Sequence, residues 1–347
     1  MPFNQFEPFL AFGGKIDPLT EIRNAGIVTN GEVYYVSSES DSDHRERTDE
    51  LGNAIVKTSL QAAIDVTETD QNDYVLVIPT DGGTVRNLGT AVDLNKNRIH
   101  VLGIGSKPAP MGYNGLTFRG YVAATGIDTE LVFATGAGVE LGGLKFLGTS
   151  GTADGGTVTG YLRVGTASSG TPHDLWVHDV HVENTQAAAA GGTAPILVIS
   201  GNVAGGIQGL TFERSWFGNW NWAPTNLVTM TGTAGPTRAM FKDTTFVMDA
   251  QATTDRFVDY GTGVTEYGIF EGCKFINVEA GTAPAMGIAG ALLVDNPVMA
   301  IDCTFINTTG FGSDTEFLVV PTQAGTAGAG LHNPRIGIIG TSPIVAA

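Results

Sequence analysis

The chain has 347 residues, 42% of them hydrophobic and 15% charged, and it contains 48 glycines. That apolar content excludes wholesale disorder, and the glycine share is about twice the usual one. The net charge of −17 comes from 18 basic against 35 acidic residues without a basic cluster, which argues against nucleic acid and anionic membrane surfaces as partners. The opening "MPFNQFEPFL" has neither a cationic start nor an apolar run, so no Sec signal peptide is expected. No stretch approaches 18 consecutive apolar residues, so no membrane-spanning helix is expected. Two cysteines, Cys273 and Cys303, make no disulfide framework. Folding in a cytoplasm is the expectation.

Residues 1–30 read as an extended N-terminal arm. Phe3, Phe6, Phe9 and Phe12 recur three apart, with Pro2 and Pro8 between them. Such an arm cannot bury four rings on itself, so it either folds back along the body or inserts into a neighbour. Residues 31–72 read as an entry strand ("VYYV"), a loop and a capping helix. Asp41 and Asp43 in the loop lack the glycine and distal glutamate of an EF-hand calcium loop, and read as solvated. In "KTSLQAAIDV", Thr58 with Gln61 reads as a capping box, and Leu60, Ala63 and Ile64 form one apolar stripe. The strands "DYVLVIP" and "RIHVLG" follow. "GIGSKPAPMGYNG" is glycine-rich but opens no helix, so it is no phosphate cradle.

From residue 73 to 322 the chain repeats. "VELGGLKFLGT", "LWVHDVHVENT", "LTFERSWFGNW", "AMFKDTTFVMD", "GIFEGCKFINV" and "MAIDCTFINT" share one pattern. Strand residues lead to a polar or glycine position, then a small residue, an outward one and a large apolar one, with Asn two places on. The large positions are Phe146, Val182, Phe217, Phe246, Phe275 and Phe305, spaced 36, 35, 29, 29 and 30 apart. A second strand precedes each copy, at 161–165, 196–200, 227–230, 256–260, 292–295 and 317–320. Short strands in a period of roughly 30 residues define one coil of a parallel β-solenoid. Equivalent residues then stack about 4.8 Å apart. Phe217, Phe246, Phe275 and Phe305 are expected as an internal stack. Asn184, Asn219, Asn277 and Asn307 are expected as an amide ladder, interrupted by Met248. Cys273 and Cys303 are expected as stacked buried thiols, because in-register parallel strands give poor disulfide geometry. Residues 323–347 form a small, apolar C-terminal extension expected to touch a partner.

The series "VYYVSSESDSD", "TSLQAAIDV", "DYVLVIPTDGGTV" and "NRIHVLGIGS", followed by the coils, resembles the opening of right-handed parallel β-helix proteins of the pectate-lyase-like superfamily. The resemblance spans roughly residues 31–320 and implies an all-β, single-stranded right-handed parallel β-helix with an N-terminal capping helix and extended terminal arms. Enzymes, adhesins and phage spikes share that fold, so it does not name an activity. The short arm and the Gly/Thr/Ala-rich turns are similar to β-helix proteins of tailed-phage virions. That likeness implies a virion structural protein, made in the host cytoplasm and displayed on the virion surface. The expected form is a homo-oligomer, a trimer, attached to the capsid exterior beside the major capsid protein as a decoration or cement protein.

The superfamily's polygalacturonase-like and pectate-lyase-like catalytic patterns are absent, and no cofactor or metal is expected. In "WVHDVHVEN", His178, Asp179 and His181 read as turn residues rather than metal ligands. The best carboxylate pair is Asp259 and Asp295, which follow comparable strands; the alternative they serve is a phage tail spike or fibre that binds or depolymerises host polysaccharide as hydrolase or lyase. Three of the four tryptophans fall in "RSWFGNWNW". Phe217 and Asn219 there belong to the scaffold. Trp216 takes the outward slot held elsewhere by Lys145, His181, Thr245, Lys274 and Thr304, and Trp220 and Trp222 follow in the loop. Together they are expected as a surface aromatic patch for a subunit or a carbohydrate.

Overall fold

The structure is a computed structural model. It describes residues 31–36, 52, 54–77, 86–87, 91–103, 117–120, 132–148, 161–165, 172–184, 195–200, 207–220, 223–231, 234–237, 239–252, 254–260, 264–266, 268–278, 288–289, 298–307, 317–319 and 331–332. Phe3, Phe6, Phe9, Phe12, Asp41, Asp43, Trp222 and Asp295 lie outside the described residues.

Successive coils contribute short strands to three long sheets, and the coil-to-coil pairing within each is parallel up to Thr304–Ile306. The first sheet has eleven strands: Val56–Lys57, Val33–Val36, Tyr74–Val77, His100–Gly103, Glu140–Gly142, Trp176–His178, Thr211–Glu213, Met240–Lys242, Ile269–Glu271, Val298–Ile301 and Phe317–Val319. The second has nine, from Arg86–Asn87 through Lys145–Gly148, Trp216–Gly218 and Thr245–Met248 to Thr304–Ile306 and Leu331–His332. The third has seven, from Val92–Leu94 to Ile288–Ala289. This is a parallel β-helix. Val33–Val36 pairs with Tyr74–Val77, so the entry strand already belongs to the first coil.

In-register pairing builds the core. Phe217, Phe246, Phe275 and Phe305 stack in series, with centroids 5.9, 4.9 and 4.5 Å apart. A second column, Phe212, Phe241 and Phe270, stacks on the first sheet at 4.8 Å per step. The two columns meet edge to face, Phe241 on Phe246 at 5.7 Å and Phe270 on Phe275 at 5.7 Å. All seven rings are fully buried. Offset stacks and T-shaped contacts add roughly 0.5–1.5 kcal/mol per pair beyond area burial.

Two columns of left-handed backbone turn the chain around the first sheet. Asn72, Arg98, Gly138, Asp174 and Gly209 precede its strands, and Gly143, Asp179, Arg214, Asp243, Gly272 and Asp302 follow them, all with φ between 47° and 69°. Glycine, Asp and Asn tolerate this conformation, which is why the repeat carries a polar residue or glycine there. The next residue faces inward; it is Leu144 and Val180 in the earlier coils and a small residue in the later ones. Ser215, Thr244, Cys273 and Cys303 fill that slot. Each donates to the carbonyl two residues back, and Thr244, Cys273 and Cys303 also donate to the preceding coil's Phe212, Phe241 and Phe270 carbonyls at 3.3 Å. Both cysteines are free and buried, and burial raises the Cys273 thiol well above its ordinary range.

Several local expectations change. The helix spans Leu60–Asp65 and buries Leu60, Ala63 and Ile64, but its N-cap is Ser59, not Thr58. The extended backbone of Ser59 aims its hydroxyl at the Ala62 amide, 3.2 Å away. Gln61 instead donates to Asp65 and accepts from the Asp93 amide, pinning the helix to the third sheet. Asn277 accepts from the Ala250 amide at 3.0 Å and donates to the Asn307 carbonyl at 3.2 Å, so these two bonds of its amide go to backbone. Asn307 itself adopts the left-handed conformation. The third-sheet strand in the Asp295 coil is Ile288–Ala289, and residues 292–295 lie outside the described ones. Phe317–Val319 joins the first sheet beside Val298–Ile301 rather than the third. Leu331–His332 runs antiparallel onto Thr304–Ile306, so this part of the extension folds back on the last coil and covers its edge.

Phe246→Ala, in the middle of the longer stack, is expected to cost about 3–5 kcal/mol, read by urea denaturation. Ser59→Ala should cost about 1 kcal/mol and leave the coil spectrum unchanged by circular dichroism.

Candidate functional site

The corner between the first and second sheets carries most of the described surface chemistry, on coils 172–184 and 207–220. Alternate residues of each first-sheet strand point outward. Across that face the register aligns Tyr74, His100, Glu140, Trp176 and Thr211 in one row, and Leu102, Gly142, His178 and Glu213 in the next.

Glu140 is gripped by two imidazoles. Its Oε2 lies 2.6 Å from His100 Nδ1, and its Oε1 lies 2.9 Å from His178 Nε2. His178 Nδ1 faces Asp179 Oδ2 at 3.0 Å. Asp179 sits at the left-handed corner and receives Arg214 at both oxygens, 3.2 and 2.9 Å, while Arg214 also pairs with Glu213 at 2.6 Å. Burial alone would push the Glu140 carboxyl up, but the hydrogen bonds from His100 and His178 outweigh it and hold the group down to about 2. Burial would lower His178, but the hydrogen bonds it donates to Asp179 and Glu140 raise it to about 9. On the second sheet Glu183 pairs with Lys145 and lies 3.0 Å from His181. Burial opposes ionisation of Glu183, yet the hydrogen bonds from His181 and Lys145 keep its carboxyl lowered.

Aromatic side chains flank the same corner. Trp176 lies against His178, with ring centroids 4.3 Å apart. Trp216 occupies the outward slot, in register between His181 and Thr245. It is half-buried, with its Nε1 donating to the Gly218 carbonyl at 2.8 Å, its ring edge-on to His181 and 6.4 Å from Trp220. Among the described residues, the large hydrophobic side chains left exposed are Trp176, at 40%, and Trp220, at 45%. Arg214, the left-handed residue that follows Thr211–Glu213, has 41% of its side chain exposed.

The other expected site residues have structural partners or lie outside the described residues. Asp259 accepts from Asn226 at 3.0 Å, pairs with Arg256 at 3.6 Å and has Ala289 opposite it in the ladder. Its proposed companion Asp295 is outside the described residues. His178 and His181 point from different sheets, and no group of three metal-ligating side chains occurs among the described residues. Sequence reasoning passed over Trp176, Glu140, His100 and Arg214. The signal available was Gly142, directly opposite His178: a glycine facing a large polar ring in the neighbouring copy marks a seat for that ring.

No protein-family profile matches the chain, and no curated protein does. Among solved structures, Escherichia coli YbhC aligns over 81% of this chain and 74% of its own, at 13% identity and a TM-score of 0.46. A pectin methylesterase variant solved with a hexasaccharide aligns over 81% and 80%, at 13% identity and a TM-score of 0.33. The class is set by the chain's own strand ladders: it is a parallel β-helix protein.

The charge network gives a signed pH dependence. Glu140 falls from an ordinary 4.5 to about 2 on folding, so its contribution is complete above pH 4.5 and lost as pH falls through about 2. His178 rises from 6.5 to about 9, so its contribution is complete below pH 6.5 and lost as pH climbs through about 9. Urea-denaturation stability should therefore be highest between pH 4.5 and 6.5. Glu140→Gln should flatten the acid limb and lower that maximum by on the order of 2–3 kcal/mol.

Proposed function

We propose that the chain is a structural subunit of a tailed-phage virion surface: an oligomeric decoration or cement protein of the capsid exterior. In this reading the coils are a rigid spacer, and the corner bearing Trp176, Arg214, Trp216 and Trp220 is a protein contact. The Phe3, Phe6, Phe9 and Phe12 arm provides attachment to the major capsid protein or to a sister subunit. The observation that supports the reading is the exposure of Trp176 and Trp220 on consecutive coils, together with that of Arg214 on the second of those coils. Tryptophan and arginine dominate the energetic centres of protein interfaces. The corner's acidic groups are matched by Arg214, His178 and Lys145, so the face is near neutral on a chain of net charge −17. That lowers the repulsion a sister copy would meet elsewhere on the surface.

A second reading draws on the same exposed tryptophans: a tail spike whose aromatic face binds host polysaccharide. Imaging intact particles with a labelled copy of the chain separates the two. The first reading expects density over the capsid; density confined to the tail overturns it. Trp176→Ala with Trp220→Ala should weaken particle binding at least tenfold, a loss of about 1.4 kcal/mol or more. Removing residues 1–14 should abolish attachment. Release of reducing ends or unsaturated products from host polysaccharide by the purified chain would favour the spike.

A further inference from the structure

The network on the first sheet's outer face is built around one ring that needs both of its protons. His178 Nε2 faces Glu140 Oε1 at 2.9 Å, and Nδ1 faces Asp179 Oδ2 at 3.0 Å. A neutral imidazole has one N–H and one lone pair. In this geometry the lone pair would confront a carboxylate oxygen at hydrogen-bond distance, so only the imidazolium fits between the two acids. The seat is shaped for that ring. A Cβ on Gly142 would come within 2.4 Å of His178 Cε1 and 2.5 Å of Nε2. On its open side the ring meets the Trp176 indole at 4.3 Å, and a cation against an indole is attracted where a neutral ring is not. The groups facing His178 are Glu140 and Gly142 on the preceding strand, Trp176 and Asp179 on its own coil, and Glu213 opposite it on the next, with Arg214 bound to Asp179. His100 completes the row through Glu140. The network thus ties four successive strands across the outer face of the first sheet.

We propose that His178 is the key of a proton-operated lock: as imidazolium it cross-links the strands through Glu140 and Asp179 and holds the Trp176 indole in place against its own ring. Loss of its proton to solvent sets an imidazole lone pair against one of the two carboxylate oxygens, breaks the cross-link on that side of the ring and releases the indole. The inference rests on the preceding reading of this corner as a contact face and deepens it, because it makes the presentation of Trp176 depend on pH.

The test is tryptophan emission, excited at 295 nm, across pH 6 to 10.5 on the full chain. A charged imidazole quenches an adjacent indole, so emission should rise with a midpoint near 9. Trp176→Phe should remove most of the amplitude. His178→Gln should abolish the transition, and Glu140→Gln, which leaves the ring in place, should move the midpoint down by at least one pH unit. A wild-type midpoint at the ordinary histidine value of about 6.5, or a transition that persists in His178→Gln, overturns the lock. Particle binding is then compared at pH 7 and 10. If emission shows the transition while binding is unchanged, the lock stands and the contact-face reading fails. If binding changes without the emission transition, the lock fails and the contact face stands.

Discussion

The constraint on which everything else rests is in-register stacking. Equivalent residues of successive coils sit one strand spacing apart, about 4.8 Å, so whatever one coil places at a position the next must accommodate. Flat rings satisfy this inside, where Phe246 and Phe275 lie almost parallel, 7° apart. Charges do not satisfy it outside unless their signs alternate. Along the first sheet's outer face the chain solves this with an alternating series, from His100 through Glu140, His178, Asp179 and Arg214 to Glu213. The left-handed corners enforce the register, since each residue there fixes where a strand ends and the next begins.

Much of the scaffold was legible in the sequence. The inward Phe column was visible because Phe217, Phe246, Phe275 and Phe305 recur at nearly constant spacing. The polar-or-glycine position and the small residue after it were visible as a pattern, and their cause is the left-handed turn and the buried hydroxyl or thiol behind it. The second column, Phe212, Phe241 and Phe270, went unread because only three coils carry it; Val177 and Ala300 fill the same place elsewhere. The expected equivalence of residues 317–320 with the third-sheet strands failed for a similar reason, since Phe317–Val319 joins the first sheet. A short apolar run can take any of three sheets, and periodicity alone does not say which.

The candidate site was less legible because its chemistry is between coils, not along them. Glu140 and His178 are far apart in the chain and meet only across a ladder. The sequence cluster at 214–222 drew the eye to three tryptophans. Folding half-buries Trp216 and leaves Trp220 exposed, and the fourth tryptophan, Trp176, emerges as its counterpart across the corner. The residues that turn the chain, Asp179 and Arg214, are thus also members of the surface charge network.

The contact proposed for this corner would be buried in the assembled particle. Hydroxyl-radical footprinting of the free chain and of intact particles, read by mass spectrometry residue by residue, addresses it directly. The account predicts that Trp176 and Trp220 are oxidised readily in the free chain and protected severalfold in the particle, while exposed Arg98 on the entry side of the coil is unchanged. Equal oxidation of both tryptophans in the two states would contradict it.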